Sequence, residues 1–302
     1  MTTSTGVLFG RRARVSFALP SGQFAQGGNT ITITGGDDPK EPGLRITFKI
    51  TKTSQKEPNA GEITIYNLSP DSRGALGTKG VKVLLEAGYV ATGLAQCFIG
   101  DARTIDHIRE GADWKTIVRL GDGERAFQFA RASESFAGGC TVGDVVRYCA
   151  GAMGLAMGNV GTEAAKLATK LQHGWVSHGA ASSELDRIVR SVGYSYSIQD
   201  GQVFVMAPGQ ALTQAIPDLD STSGLIGSLQ MGTPEKKGKA AALKFRALLM
   251  PQAMPGGRIH VKSERYNGVF RTRKVEHSGD TRGGEWYSDF ESVADPSATV
   301  TT

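Results

Sequence analysis

Strict alternation of apolar and polar residues is the feature that most restricts how this chain can fold. The run from Leu44 to Thr51 alternates at every position, as a half-buried strand does because successive side chains point to opposite faces. Similar runs follow one another, separated by turn clusters at the spacing of about 8 to 12 residues that is typical of antiparallel sandwiches and barrels. They occupy residues 31–34, 62–68, 81–86, 95–99, 103–108 and 114–120. We therefore predict an N-terminal β-barrel-like domain over residues 1–123.

The period becomes helical in the middle third of the chain. Thr141 and Asp144 have the spacing of an N-cap with an acid three residues later. The apolar positions that follow share one helical face; they are Val142, Val145, Val146 and Cys149. A second helix is predicted over about residues 183–192, ending at Gly193.

A hairpin follows these helices. Two alternating runs, 194–199 and 202–206, are joined at Asp200-Gly201, which is one of the strongest short-range hairpin signals. The middle third, residues 124–215, is therefore predicted to be a small α+β domain with two helices on a short sheet.

Strand patterns return after this domain. They occupy residues 227–231, 241–250, 258–263, 269–277 and 286–293. Asn267-Gly268 is predicted to form a second hairpin turn. We expect a C-terminal β-barrel-like domain over residues 216–302, so the predicted fold class is mainly β, with two β-barrel or sandwich domains flanking a two-helix α+β domain.

Composition supports a folded, soluble chain. Of 302 residues 39% are hydrophobic and 21% are charged, and the net charge is only +5, which is far from the composition of disordered chains. No segment approaches the ~18 apolar residues of a membrane helix or the apolar stretch of a signal peptide. The three cysteines, Cys97, Cys140 and Cys149, lie in apolar segments without CxxC spacing, so we expect reduced, mostly buried thiols.

No motif of an enzyme or metal site is found. The sequence contains no GxxxxGK[ST] phosphate loop, no GxSxG elbow and no HExxH pair. His173 and His178 are near neighbours without ligand spacing, and His277 with Asp280 would form a base and its orienter only if a nucleophile were present. We therefore predict no catalytic residues, no metal and no cofactor.

Clustered charges offer weak alternatives. The carboxylate groups are Glu134, Glu184 with Asp186, and Asp218 with Asp220. None has the geometry of a glycosidase pair, because residues two apart on a helix face different directions. A basic loop over residues 233–239 carries Lys236, Lys237 and Lys239, with no aromatic residues interleaved for base stacking. The loop is predicted to be solvated, and the alternative that it contacts an anionic partner stays open; among the polar loops it is the leading candidate for a contact with a neighbouring protein.

Three stretches together resemble the baseplate hub proteins of contractile-tailed bacteriophages, including Mu-like phages. The first runs from Ile65-Tyr66-Asn67-Leu68-Ser69-Pro70 through Ala87-Gly88-Tyr89 to Phe98-Ile99-Gly100. The second is the order helix, helix, Asp-Gly hairpin. The third runs from Leu248-Leu249-Met250-Pro251 through Pro255-Gly256-Gly257, Asn267-Gly268 and His277-Ser278-Gly279-Asp280 to Trp286.

This resemblance implies a structural role without catalysis. The expected assembly is a homotrimeric ring in which two tail-tube-like β-domains per subunit form a pseudo-hexameric collar. This collar would join the tail tube or a tube-initiator protein to a central spike protein and to other baseplate proteins. The genome would pass through the lumen without specific binding. The expected location is the virion tail baseplate, assembled in the host cytoplasm, with no membrane partner. The motif residues Asn67, Leu68, Gly88, Tyr89, Pro255, Gly256, Gly268, His277, Gly279, Asp280 and Trp286 are expected to serve turns and packing.

Two rival functions stay open. One is a tail-associated cell-wall hydrolase that uses acids the sequence does not single out. The other is a carbohydrate-binding module with tryptophan stacking platforms, for which the candidates are Trp114, Trp175 and Trp286.

Overall fold

The computed structural model describes residues 10–19, 29–36, 43–76, 80–122, 124–159, 162–212, 217–232, 242–264 and 266–295. Its strands have these bounds: β1 Arg11–Ala18, β2 Thr30–Gly36, β3 Ile46–Thr53, β4 Ala60–Tyr66, β5 Lys82–Tyr89, β6 Gly93–Glu110, β7 Asp113–Gly121, β8 Arg131–Phe136, β9 Ala156–Met157, β10 Trp175–Ala180, β11 Ser195–Gln199, β12 Gln202–Met206, β13 Asp218–Leu219, β14 Leu225–Met231, β15 Leu243–Leu248, β16 Arg258–Lys262, β17 Asn267–Asp280 and β18 Trp286–Ala294. The helices are α1 Pro70–Ala75, α2 Glu124–Phe129, α3 Val142–Ala152, α4 Ala181–Ser191 and a 3₁₀ helix Thr162–Ala168.

The predicted fold class is confirmed: the chain is mainly β with a small helical insert. Among the helices that the structure describes, none has the length and apolar character needed to cross a membrane. We refer below to the N-terminal β-half (residues 10–122), the insert (124–212) and the C-terminal β-half (217–295).

One hydrogen-bonded sheet runs through both β-halves. Thirteen strands belong to it, in the order β14-β15-β18-β17-β3-β4-β7-β6-β5-β1-β2, with β16 paired to β17 and β13 paired to β16. The two halves meet where β3 pairs antiparallel with β17, from Thr53 opposite Lys274 to Thr47 opposite Asp280. The predicted boundaries at 123 and 215 stay a prediction, but the outer parts share a ladder that the sequence did not reveal.

Alternation explains how β3 joins the core. Ile46, Phe48 and Ile50 are buried on one face, while Lys49 on the other face is exposed. The main apolar cluster combines these residues with the inward side chains of the other N-terminal strands and also includes Leu249 and Trp286 of the C-terminal β-half. The two β-halves are therefore packed together as well as hydrogen-bonded.

The insert has its own apolar cluster, formed by helices and short strands. Helix α3 begins at the predicted capping box, where the Asp144 amide donates to Thr141 Oγ1 (3.2 Å) and the Thr141 amide donates to Asp144 Oδ2 (2.8 Å). Hairpin β11–β12 turns at the predicted Asp200-Gly201, whose φ angles are 52° and 76°. Strands β8 and β10 form a separate two-stranded sheet.

Two local predictions differ from the structure. Asn267 and Gly268 are not a turn, because they pair with Lys262 and Val261 as the first residues of β17. The chain has already reversed at Ser263, whose amide donates to the Tyr266 carbonyl (2.7 Å). In addition, the predicted strands 95–99 and 103–108 are one continuous strand, β6, with a register shift between residues 102 and 104.

All three cysteines are free. Cys97 and Cys149 are buried and Cys140 is half-buried. Burial raises the pKa of Cys97 to about 12 and that of Cys149 to about 11, so these two thiols stay protonated at neutral pH.

Candidate functional site at the junction of the three parts

Trp286 lies at the centre of the contact between the two β-halves. Its side chain is only 1% exposed, and it meets Phe48 and Tyr89 edge-on, with ring centroids 5.5 Å and 6.5 Å apart. Phe48 and Tyr89 come from β3 and β5, whereas Trp286 opens β18. We call this cluster the aromatic junction. Edge-to-face aromatic pairs add about 0.5–1.5 kcal/mol each beyond area burial, so the junction stabilises the contact.

The rings of the aromatic junction can pack this closely because residue 279 is a glycine. A Cβ at this position would fall 2.9 Å from Trp286 Cε3 and still closer to the Phe48 ring. Residue 279 must therefore be a glycine, because two rings occupy the space of a side chain.

Asp280 fastens the end of the same strand. Arg45 Nη2 and Nε donate to the two oxygens of its carboxylate (2.6 and 3.2 Å), and the Arg282 amide donates as well (2.9 Å). Partial burial opposes ionisation, but these hydrogen bonds outweigh it and lower the pKa of Asp280. Arg11 of β1 donates to the backbone carbonyls of Asp280 and Gly283, so three strands converge on this loop.

His277 is a buried neutral residue. Its Nε2 donates to the Ala253 carbonyl (3.3 Å), and its Nδ1 lies 2.8 Å from Ser288 Oγ, which also accepts from the Met250 amide. Burial, helped by the nearby Lys52 ammonium, lowers the pKa of His277 to about 3. Both ring nitrogens have partners other than Asp280, so no base and orienter pair is formed.

Asn67, Leu68 and Gly88 serve the N-terminal β-half. Asn67 has a left-handed backbone (φ 57°), and its side chain accepts from the Trp114 amide (3.0 Å) while donating to Asp113 (2.9 Å). Leu68 is buried in the main apolar cluster. A Cβ on Gly88 would overlap the Gly93 carbonyl of the neighbouring strand.

Pro255-Gly256 connects the C-terminal β-half to the exit of the insert. The Gly256 amide donates to the Thr272 carbonyl, and its carbonyl accepts from the Leu212 amide, each at 2.8 Å. Gly256 has φ 86° and packs against Met206 and Leu212, so a larger residue would be strained there.

A buried polar cluster joins the insert to the N-terminal β-half. It consists of Lys52, Asn59 and Asp122 of the β-half and Gln199 and Asp200 of the insert, and we call it the polar junction. Lys52 Nζ donates to Asp200 Oδ2 at 2.6 Å, and the side chains of these two residues are 2% and 11% exposed. The Asp122 carboxylate accepts from the backbone amides of Asp200 (2.6 Å) and Gly201 (2.9 Å).

Two amides complete the polar junction. Asn59 Nδ2 donates to Gln199 Oε1 (2.8 Å) and to the Ile198 carbonyl (3.1 Å), and Gln199 Nε2 donates to the Thr53 carbonyl (2.6 Å). Desolvation of Asp122, followed by repulsion from Asp200, raises its pKa to about 6, although the two backbone amides oppose the shift.

The polar junction was missed from the sequence although a signal exists. Lys52 continues the inward phase of Ile46, Phe48 and Ile50, so alternation itself places a lysine on the apolar face. Asp122 likewise follows Val118 and Leu120. A charged residue on the inward phase of a strand predicts a buried partner.

Ion pairs cover the opposite, hydrated face of the continuous sheet. Arg246 pairs with Asp289 (2.7 Å), Lys49 with Glu276 (3.0 Å), and Arg119 with both Asp106 (2.9 Å) and Glu62 (3.5 Å). We call this surface the charged face. Two open grooves, of about 610 and 490 Å³, lie on it.

The remaining sequence candidates do not come together as a site. Glu184 bonds Arg187, Asp186 bonds Arg190, and Asp218 bonds His260. Lys236, Lys237 and Lys239 lie outside the described residues. Within the described ranges, no group of three or more histidine, cysteine or acidic side chains could hold a metal ion.

Comparisons with known proteins identify the fold. No family model and no curated protein matches this chain. The chain is similar to the solved tail protein from Neisseria meningitidis MC58, with a TM-score of 0.62, 12% identity, and coverage of 94% of this chain and 97% of that protein. The 43 kDa tail protein of prophage MuSo2 from Shewanella oneidensis gives a TM-score of 0.63 at 8% identity, over 93% and 97% of the two chains. This chain has the fold of phage tail proteins.

A third similar structure extends the likeness to a secretion machine. The E. coli c3393 protein, a component of the type VI secretion system that is itself similar to the bacteriophage T4 tail proteins gp27 and gp5, has a TM-score of 0.56 at 13% identity. The similarity covers 83% of this chain and 74% of the c3393 protein. Because the likeness to the tail proteins spans more than nine tenths of this chain, it includes the insert as well as both β-halves.

Proposed function

We propose that this chain is a structural component of a phage-type tail, in which three copies form the baseplate hub ring that joins the tail tube to the central spike. The observation that carries the proposal is the fold likeness to two phage tail proteins over 93–94% of this chain and 97% of each of those proteins. The resemblance of the sequence motifs to baseplate hub proteins supports the more specific part of the proposal, namely the hub position and the trimer. A tube or tube-initiator protein, a spike protein and other baseplate proteins are the partners that follow.

The charged face fits a lumen through which the genome passes without specific binding. Basic side chains that are free bind phosphates and release counterions, which would hold a polyanion in place. Lys49, Arg119 and Arg246 each lie within 3.0 Å of a carboxylate oxygen, so their charge is offset locally. A ring would also pair or cover the outer edges of β2 and β14, which have no neighbouring strand within the described part of the chain, and this reduces unwanted strand pairing.

The rival functions receive less support from the side chains. Trp286 is buried, and arginine guanidinium groups lie over the rings of Trp114 (4.0 Å) and Trp175 (4.4 Å), so these rings are poor sugar platforms. The acids named as hydrolase candidates are engaged by basic partners at Glu184, Asp186 and Asp218.

The test of the ring is the mass in solution together with particle images. A trimer has a mass of about 96 kDa, three times the 31.9 kDa chain, and should appear as a ring with a central hole. The purified chain should be examined alone and after mixing with the tube and spike proteins of its own tail. A particle that stays monomeric in the presence of both partners would contradict the hub assignment.

The proposed partner contact of the basic loop has its own test. Changing Lys236, Lys237 and Lys239 together to glutamate should block attachment of the spike or tube while leaving the melting temperature nearly unchanged, because surface substitutions cost about 0.5 kcal/mol or less. Normal tail assembly by the triple variant would remove the loop from the contact.

A further inference from the structure

The polar junction places a net charge between two parts of the molecule. Lys52, Asp122 and Asp200 carry one positive and two negative charges when all are ionised, so the cluster holds one unbalanced negative charge away from water. Asp122 is fully buried, and its oxygens bind the turn of the β11–β12 hairpin directly. Burying an unbalanced charge is costly, and the cost disappears when one carboxylate takes up a proton.

We infer that the polar junction is a proton-dependent latch, which holds the insert on the N-terminal β-half more firmly when the junction takes up one proton. The inference does not depend on the proposed function. Its basis is geometric: one turn of the insert is held by three side chains of the β-half, and the Asp200 carboxylate reaches further to accept from the Ile99 amide (3.3 Å). Opening the insert would return Asp122 to water.

Two other ionisable side chains near the junction, His277 and Cys97, do not titrate between pH 5 and pH 7. His277 of β17 faces Lys52 but is already neutral, because burial lowers its pKa to about 3. Cys97 of β6 is also neutral, with a pKa raised to about 12 by burial. On the side of the insert, Asp200 is held by Lys52 and Gln199 is uncharged. The Lys56–Asp186 ion pair (3.5 Å) makes a second, more exposed contact between the two parts.

The direction of the pH effect follows from linkage. Asp122 has a pKa of about 6 when the insert is docked, and an exposed aspartate has about 3.9. A carboxyl whose pKa is raised in the docked state binds its proton more tightly there, so acidification favours docking. These values give an increase of about tenfold in the docking equilibrium between pH 7 and pH 5.

Hydrogen exchange of the full-length protein tests the latch. The amides of Asp200 and Gly201 donate to Asp122, so their protection factors, corrected for the intrinsic pH dependence of exchange, should rise about tenfold from pH 7 to pH 5. The Thr272 amide, which donates to the Gly257 carbonyl in the C-terminal β-half, is the internal control and should not rise with them. Unchanged or falling protection of Asp200 and Gly201 at pH 5 would overturn the inference.

A pair of variants separates the junction from general pH effects. Asp122→Asn keeps the size of the side chain but cannot titrate, so the tenfold rise should vanish. Asp106→Asn neutralises a half-exposed aspartate on the neighbouring strand β6 and should keep the rise. A full rise in Asp122→Asn would contradict the latch. If that variant does not fold, the carboxyl carbon resonance of Asp122 in the unchanged protein decides: titration near pH 6 supports the inference, and titration near pH 4 overturns it.

Discussion

At the scale of single residues, Gly279 shows how a motif position is fixed by packing. The rings of Phe48 and Trp286 fill the space where a side chain would stand. We expect Gly279→Ala to lower the free energy of unfolding by about 1–3 kcal/mol, the usual cost of overpacking a core. Urea denaturation followed by tryptophan fluorescence measures this.

The matched control lies five residues away, at the turn between the same two strands. A Cβ on Gly284 would meet no atom within 4 Å, so Gly284→Ala should change stability by less than about 0.5 kcal/mol. Equal losses in the two variants would show that the effect comes from glycine flexibility and not from the rings.

His277 predicts how stability depends on pH. Its pKa is about 3 when folded, because burial disfavours the charged ring, and about 6.5 when unfolded. A base with a depressed pKa contributes stability above pH 6.5 and loses it as the pH falls, because the unfolded chain then binds the extra proton. This residue alone should remove about 2 kcal/mol of stability between pH 7 and pH 5.

The variant His277→Gln isolates that contribution. Glutamine can keep a donor near the Ala253 carbonyl but has no titrating group, so the loss between pH 7 and pH 5 should be smaller than in the unchanged protein by about 2 kcal/mol. Asp122 acts with the opposite sign, but it is present in both proteins and cancels in the comparison. Identical pH profiles in urea unfolding would show that His277 is protonated without penalty.

At the scale of secondary-structure elements, the cap of α3 is the clearest test. Thr141→Ala removes the acceptor for the Asp144 amide and should destabilise the insert by about 1 kcal/mol, as losses of N-cap side chains do. Thr141→Ser keeps the hydroxyl and should retain most of the stability. Thermal unfolding of the two variants measures the difference, and equal melting temperatures would mean that the cap is not stabilising.

The sequence predicted individual secondary-structure elements better than it predicted their arrangement. Strand β3, helix α3 and the Asp200-Gly201 turn are each determined by a few neighbouring residues, through alternation, a capping box and a left-handed turn. The turn predicted at Asn267-Gly268 was wrong because the chain reverses earlier, between Ser263 and Tyr266, so that both residues already pair within β17. Local patterns identify an element but do not determine the residue at which the chain turns into it.

Local sequence patterns did not predict which elements lie beside each other. Alternation predicts a strand over residues 44–51, yet it does not indicate that β17, more than 200 residues later, pairs with this strand. The polar junction was missed for the same reason. Lys52 and Asp122 both bind Asp200 of the insert, and this contact is visible only in the folded chain. The motif resemblance named residues of the aromatic junction, although their mutual contact came from the structure.

At the scale of the whole molecule, the shared sheet predicts which parts can fold alone. The N-terminal β-half pairs β3 with β17 and packs around Trp286, so without the C-terminal β-half it loses both a neighbouring strand and the centre of its aromatic junction. The insert, by contrast, has an apolar cluster formed by its own residues. We expect the isolated segment 124–215 to unfold cooperatively in urea and the isolated segment 1–123 to lack a cooperative transition.

Adding back the missing part provides the control. Segment 216–302 supplies β17, β18 and Trp286, so mixing it with segment 1–123 should restore amide dispersion in NMR spectra that neither segment shows by itself. The physical reason is that a strand edge left open beside an exposed apolar cluster has no compensating burial, and the new pairing provides it. A cooperative transition of segment 1–123 alone would mean that the β3–β17 ladder connects two independent domains, and that the boundaries expected at 123 and 215 separate units that fold without each other.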